Sequence, residues 1–445
     1  MANRPPISPR LRSGRLRALS HRNYRLFFGG QSISLVGTWI TRIATSWLIY
    51  RLTGSVLLLG IVGFAGQIPT LILAPVAGVF VDRWNRHHVL LATQALSLVQ
   101  SLALGVLTLT GVITVTQVLI LQAFQGVINA FDTPARQAFV ITIVEDRADL
   151  PNAIALNSSI FNGSRIIGPS IGGALIAAVG EGWCFMLDAI SYVAVIGSLL
   201  AMRLPPVERR RPQSRLREEL ATGFAYVSRF APVRTVLLLL ALVSLAGIPY
   251  TVLAPDIATR ILHGGPGTLG SLMTASGVGA LVAALYLAGR PSVLGLGRAI
   301  ATATVVMGCA LVGFALSRNL VLSLVILAVV GGGFMIQTAS TNTILQTLVD
   351  EHLRGRVMAF YTMAFLGTAP LGSLLAGALA ARIGAPGTIL LGGVICALGG
   401  IWFGIRLPAL RQEVWPIYRA RGIIADTAAS RGAPPAESVP ARDVP

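Results

Sequence analysis

The chain has 445 residues, of which 54% are hydrophobic and only 12% charged, with a formal net charge of +18. A soluble domain is roughly a quarter charged, so the composition excludes an ordinary soluble protein. All 35 basic residues are arginine; without lysine there is neither a P-loop ATPase nor Schiff-base catalysis.

Apolar runs of about 20 residues, the length that crosses a bilayer, are expected twelve times. They lie at roughly 24–50, 54–81, 89–110, 114–134, 152–179, 183–203, 234–258, 265–289, 298–317, 320–345, 355–382 and 386–406. None has the polar face with which a soluble helix covers itself. The expected fold is all-α integral membrane, with twelve transmembrane helices. A basic stretch, Arg4–Arg25, precedes the first run. That run is too long for a signal peptide and no small-residue cleavage site follows, so it is expected to stay as an uncleaved span. It carries Gln31, Trp39 and Arg42.

The second and third runs are joined by Gly78-Val-Phe-Val-Asp82-Arg83-Trp-Asn85-Arg86. Gly78 lets two helices approach, and Asp82, Arg83 and Arg86 make a short charged loop. The fourth run holds Gln122, Gln125, Asn129 and Asp132. In the fifth, Arg165 precedes Gly168-Pro169-Ser-Ile-Gly172-Gly173. There Pro169 removes a backbone donor and kinks the helix, while the glycines allow tight contact with a neighbour. The sixth run carries Asp188. Unpaired charges deep in a membrane cost several kcal/mol. Asp188 is therefore expected to pair with Arg42 or Arg165, either as a static clamp or as a switch linked to proton or substrate.

Residues 205–232 are charged and flanked by proline, with Leu216, Leu220, Phe224 and Val227 on one helical face. They read as a cytoplasmic amphipathic helix within a linker, 204–232, that joins two six-helix bundles, 1–203 and 233–407. An internal echo supports duplication: Gly172-Gly-Ala-Leu-Ile-Ala-Ala-Val-Gly180 matches Ala376-Gly-Ala-Leu-Ala-Ala-Arg-Ile-Gly384 at an offset of 204. Glu145-Asp146 and Asp350-Glu351 fall nearly in the same register. Folds built this way place the substrate path between the repeats. In the second half Asp256 lies near the outer surface. Gln337, Asn342, Tyr361 and Phe365 join Gln31, Trp39, Gln122 and Asn129 as candidates to line a substrate cavity. The segment Ala288–Arg298 occupies the place of the charged loop but lacks its Asp. The tail, 408–445, is rich in Arg, Ala and Pro and is expected to be disordered.

With the N-terminus inside, 29 of the 35 arginines fall on cytoplasmic segments. That is the positive-inside asymmetry, and it puts both termini in the cytoplasm. The basic balance then reflects topology and attraction to anionic lipid, not nucleic acid. All five histidines lie outside the runs, and Cys184, Cys309 and Cys396 sit on separate helices, where small apolar packing is their role. No metal site, cofactor, HExxH or nucleophile elbow is apparent, so no enzyme is expected.

The spacing G-x-x-x-D-R-x-x-R between the second and third runs resembles the loop signature of the major facilitator superfamily of secondary transporters. The resemblance implies that Asp82 and Arg86 latch the two bundles, and that an acid at the inner end of the fourth span, Asp132, pairs with Arg86. The plainer reading is that Arg83 and Arg86 only set topology. Asn85 stands where the family usually has glycine, and Asn tolerates a left-handed turn. The G-P-x-x-G-G stretch resembles the antiporter signature associated with exporters, although a small-residue packing face would look the same. Gln122-Ala-Phe-Gln125-Gly126 departs from the family's R-x-x-Q-G, so coupling through position 122 is not expected. Asp188 is then the leading proton carrier.

Three further stretches, Leu19–Phe28, Pro134–Val140 and Leu353–Met358, resemble the drug/siderophore exporter branch, the enterobactin- and macrolide-exporter-like family. The implied protein is a multi-pass exporter of the bacterial inner membrane, monomeric, driven by the proton motive force and handling a hydrophobic or amphipathic small molecule. The alternatives are a lysophospholipid or lipid-intermediate flippase of the same fold, and a transport-inactive membrane sensor or scaffold.

Overall fold

The computed structural model describes residues 17–204, 216–290, 292–421 and 423, and its regular elements are all helical. The first half comprises α1 (Arg22–Thr53), α2 (Val56–Arg83), α3 (Arg86–Leu109), α4 (Val115–Ile143), α5 (Leu150–Val179) and α6 (Glu181–Leu200). A short helix, α7 (Leu216–Arg229), leads into the second half. That half contains α8 (Ala231–Ala246), α9 (Tyr250–Asp256), α10 (Pro266–Ala288), α11 (Leu296–Leu316), α12 (Leu320–Leu348), α13 (Glu351–Thr362) and α14 (Thr368–Ala420). Single π-turns, Ile257–Ile261 and Met363–Gly367, extend α9 and bridge α13 to α14.

Polar residues set the helix starts. Ser55, Thr114 and Asn319 each accept a hydrogen bond from a first-turn amide, and Thr114 completes a capping box with Gln117. Asn85 caps α3 in the same way, with φ −68° and ψ 112° and its side chain accepting from the His87 amide. The left-handed turn expected there is not formed, because the Asn oxygen is used to satisfy an orphan amide instead.

The repeat is visible in the backbone. Gly180 (φ 86°, ψ 171°) and Gly384 (φ 78°, ψ 161°) make the same sharp turn, one between α5 and α6 and the other within α14. That region of conformational space is open to glycine alone at little cost, which is why the sequence echo ends on these two residues.

Among the described residues, eight helical stretches are long and apolar enough to cross a membrane. Helices α1, α4 and α5 fall outside that set. They are the helices that carry Arg42, Asp132 with Arg136, and Arg165.

The basic end is braced by two peripheral helices. Phe224 of α7 stacks near Phe360 of α13, ring centroids 6.3 Å apart, and Tyr226, Val227 and Phe230 pack around buried Val357 and Leu345. At the other edge α14 continues to Ala420, and Leu410 and Tyr418 bury among Val236, Ile300 and Phe403. Arg421 donates to the Thr347 and Leu348 carbonyls and to Asp350, supplying donors to the otherwise unfilled end of α12. The helix therefore persists beyond residue 408, where disorder was expected. Residues 424–445 lie outside the described residues, as do 205–215 of the linker.

Candidate functional site

At the end of the bundle away from most of the arginines, the halves meet through two matching contacts. A Cβ placed on Gly60 of α2 would lie 2.6 Å from the Ser373 carbonyl oxygen and 2.8 Å from the Gly377 Cα of α14. A Cβ on Gly270 of α10 would lie 2.6 Å from the Pro169 carbonyl oxygen and 2.9 Å from the Gly173 Cα of α5. Backbones this close admit no side chain. The stretch Gly168-Pro169-Ser-Ile-Gly172-Gly173 thus packs two ways: Gly173 faces the other half, while Gly168 and Gly172 lie against Trp39 and Ile40 of α1. Helix α5 runs unbroken through Pro169.

A polar clasp closes the same end. Tyr50 donates to Asp256 at 2.9 Å, Arg260 donates to the Tyr50 hydroxyl at 3.0 Å and to the Gly54 carbonyl at 3.1 Å, and Arg260 pairs with Asp256 at 3.1 Å. It joins α1 to the α9 segment across the two halves. Arg51 and Glu181 pair at 2.7 Å within the first half.

The interior of the first half is polar. Asp188 is only 1% exposed. Thr41 of α1 and Ser101 of α3 donate to its Oδ2 at 2.9 and 2.8 Å, and Ser191 reaches Oδ1 at 3.5 Å. Among the described residues it has no ion-pair partner. The expected pairing with Arg42 or Arg165 is replaced by a cage of hydroxyls, because both guanidiniums turn instead onto aromatic rings. Asp132 is held by Arg136 on the next turn of its own helix and by Thr93 at 2.9 Å and Gln94 at 2.8 Å. Arg86, the partner expected for it, donates to the Ala138 carbonyl and the Thr142 hydroxyl. Around that loop Gly78 has open space beside it and Arg83 is exposed. The Asp82 side chain lies outside the described set.

Within the first half, Arg42 lies over the Trp39 ring at 4.8 Å, and Trp39 meets Phe161 edge-on at 6.1 Å. Arg165 of α5 lies 5.9 Å from the ring of Phe334 of α12, which continues to Phe365 and then Tyr361. Arg42 has protein around it yet keeps accessible surface. Gln122 bonds Thr45, Asn129 accepts from Gln125, and Asn342 accepts from Gln346. Gln31 and Gln337, by contrast, are 3% and 0% exposed, so neither lines an open cavity in this conformation. Gln337, Ser340 and Thr341 form a buried face on α12 whose side-chain polar atoms have no protein partner.

Sequence reading missed the Tyr50–Asp256–Arg260 clasp, Gly60 and Gly377, and Arg136. Arg136 was within reach, four residues after Asp132 on a helix. The glycine pairs were also within reach, since Gly173 and Gly377 stand at the repeat offset of 204. The clasp joins residues 206 and 210 apart and has no local signature.

Residues 13–421 match the family described as transmembrane secretion effector. Curated relatives cover most of the chain. The staphyloferrin A transporter of Staphylococcus aureus is 26% identical over 392 residues, 87% of this chain and 98% of that protein. The multidrug efflux pump Tap of Mycolicibacterium fortuitum is 30% identical over 386 residues, 84% of this chain and 93% of that protein. Macrolide efflux protein A of Streptococcus pyogenes is 24% identical over 397 residues, 84% and 95% of the two chains. Among solved structures, a bacterial homologue of the human lysosomal transporter Spinster superimposes with a TM-score of 0.68 at 12% identity, covering 89% of this chain and 98% of that one. A POT peptide transporter gives 0.69 at 10% identity, covering 87% and 94%. These two likenesses speak to the fold.

Proposed function

This chain belongs to the transmembrane secretion effector family, within the drug- and siderophore-exporting branch of the major facilitator superfamily, and we propose that it exports an amphipathic small molecule by proton-coupled alternating access. In this reading twelve helices span a bacterial inner membrane with both termini in the cytoplasm, α9 continuing α8 and the turn at Gly384 separating the last two spans. The observation that carries it is that the halves meet at one end through the paired glycine contacts and the Tyr50–Asp256–Arg260 clasp, while Arg165 of the first half faces the Phe334 ring of the second. Such a seal can part without unpacking either half. The conformation is then closed to the outside, with the cavity facing the cytoplasm.

Asp188 is the proposed proton carrier. A buried carboxyl surrounded by hydroxyls and lacking a cation can change protonation without breaking an ion pair. Its donors come from α1, α3 and α6, so small shifts among these helices alter how well the charged form is solvated. The gating role proposed for Asp82 and Arg86 rests on the loop signature and on their place at the opposite end from the clasp.

A lipid-like substrate is a second reading, favoured by one feature. Beside the break between α8 and α9 lies a cavity of about 320 Å³ lined by Leu245, Leu253, Leu375, Leu391 and Ile395. The test is accumulation of drugs, siderophores and lysophospholipids in cells with and without the gene, each with and without an uncoupler. Gene-dependent, uncoupler-sensitive depletion of a drug or siderophore is expected. A gene-dependent effect on lysophospholipid alone would select the flippase, and no difference for any compound would overturn export.

A further inference from the structure

Arg42, over the Trp39 ring, and Arg165, beside the Phe334 ring of the other half, are two fixed positive charges, and among the described residues neither has an acidic partner within ion-pairing distance. The acids that could have neutralised them are committed elsewhere. Asp188 is bonded to hydroxyls, Asp132 to Arg136, Glu181 to Arg51, and Asp256 to Arg260 and Tyr50. The two guanidiniums lie within electrostatic range of each other, and Arg165 also of Tyr250. Like charges in a low-dielectric setting repel more strongly than in water, and an uncompensated charge at membrane depth is costly. Their ring contacts offset part of this. A planar guanidinium resting on a ring keeps its outer N–H groups free, in the fork that matches a carboxylate or phosphate.

We propose that the region between these two arginines is a substrate site selective for anionic amphiphiles, in which Arg42 and Arg165 hold an oxyanion group, a carboxylate, sulfonate or phosphate, and Trp39, Phe161, Phe334 and Phe365 hold an aromatic or apolar body. The inference deepens the export reading and rests on it for the word substrate, though not for the site. A cationic drug would meet two positive charges there and no free carboxylate among the described residues. Phe334 belongs to the second half and the arginines to the first, so an occupant touches both bodies that must move past each other. The site is thereby placed to couple occupancy to closure.

The test is equilibrium binding to the purified full-length protein, by fluorescence anisotropy, of 5-carboxyfluorescein and of rhodamine 123. These dyes share a xanthene core and differ in charge. Binding of the anionic dye should be at least about tenfold tighter than of the cationic one, a difference of about 1.4 kcal/mol. Arg42→Gln and Arg165→Gln should each weaken anion binding about tenfold or more, and Arg165→Lys, which keeps the charge, should weaken it less. Both Gln variants remove an uncompensated charge, so their melting temperatures should equal or exceed that of the native protein. Lost binding together with a lowered melting temperature would count against the proposal. Failure of carboxyfluorescein to bind, equal affinity for the two dyes, or unchanged anion affinity in both Gln variants would overturn it. Proteoliposomes separate the two ideas. An anion that binds through the arginines but is not moved leaves the site standing and removes export; a dye pumped equally well by both Gln variants does the reverse.

Discussion

The two halves of this molecule are built on one skeleton, and they differ in what they keep inside it. Helices α4 and α12 are both 29 residues long and begin after capping residues, Thr114 and Asn319, that stand 205 positions apart. At that spacing the Asp132–Arg136 pair of the first half corresponds to Gln337 and Thr341 of the second. At the spacing of 204 set by Gly180 and Gly384, Arg165 corresponds to Ala369 and Asp188 to Gly392. The closing contacts, by contrast, are duplicated almost atom for atom: Gly60 against Ser373 and Gly377, Gly270 against Pro169 and Gly173. Mechanics are shared between the halves, whereas Arg42, Arg165, Asp188 and the Asp132–Arg136 pair belong to the first alone. In the proposed mechanism two bodies rock symmetrically, while one of them carries the ion and the charge that meets the substrate.

The shared mechanics should give the largest effects. Gly60→Leu and Gly270→Leu each force a side chain into backbone contacts of 2.6–2.9 Å, which prevents closure. Both should lower transport in proteoliposomes by about tenfold or more, to similar extents. A large loss in only one of them would break the symmetry. The charged loop should show the opposite pattern. Asp82→Asn and Arg86→Ala are expected to slow transport strongly while the protein stays folded and inserted, whereas Arg290→Ala, at the second half's equivalent loop, should leave the rate nearly unchanged. Normal transport by reconstituted Asp82→Asn would dispose of its gating role.

Stability sharpens the comparison on a smaller scale. Asp132→Asn leaves Arg136 without its carboxylate; with the Arg side chain 31% exposed, solvent offsets part of the loss, and about 1–2 kcal/mol of destabilisation is expected. Gln337→Leu should be neutral or stabilising by up to about 1 kcal/mol, because neither side-chain polar atom of Gln337 has a protein partner. Equal destabilisation of the two variants, read from melting curves in detergent, would mean that the interiors of the halves do not differ in this way.

What the sequence carried and what it did not follows from range. Apolar length, the loop between α2 and α3, and the glycine that ends each repeat are local, and each appears as a short pattern. The amphipathic face over Phe224 and Val227 likewise found its partner in α13. The cage around Asp188 draws on residues 147 and 87 positions away, through hydroxyls that look like ordinary packing in a run of small residues. The cost of buried charge predicts that Asp188 pairs with an arginine. The structure instead gives the two signs separate solutions, hydroxyl donors for the carboxylate and aromatic rings for the guanidiniums. Helix α14 outlasts its apolar run for a similar reason: Leu410, Tyr418 and Arg421 find partners that only the folded chain provides.

The most direct test of the division between shared mechanics and first-half chemistry is a paired assay on Asp188→Asn. Reconstituted vesicles are loaded with a transported compound, and exchange down its own gradient is measured beside accumulation driven by a pH gradient. Exchange at near-native rates with accumulation abolished is the expected result, since in the proposed mechanism closure rests on the glycine contacts and concentration on the carboxyl. Accumulation that persists in Asp188→Asn with unchanged pH dependence would contradict it.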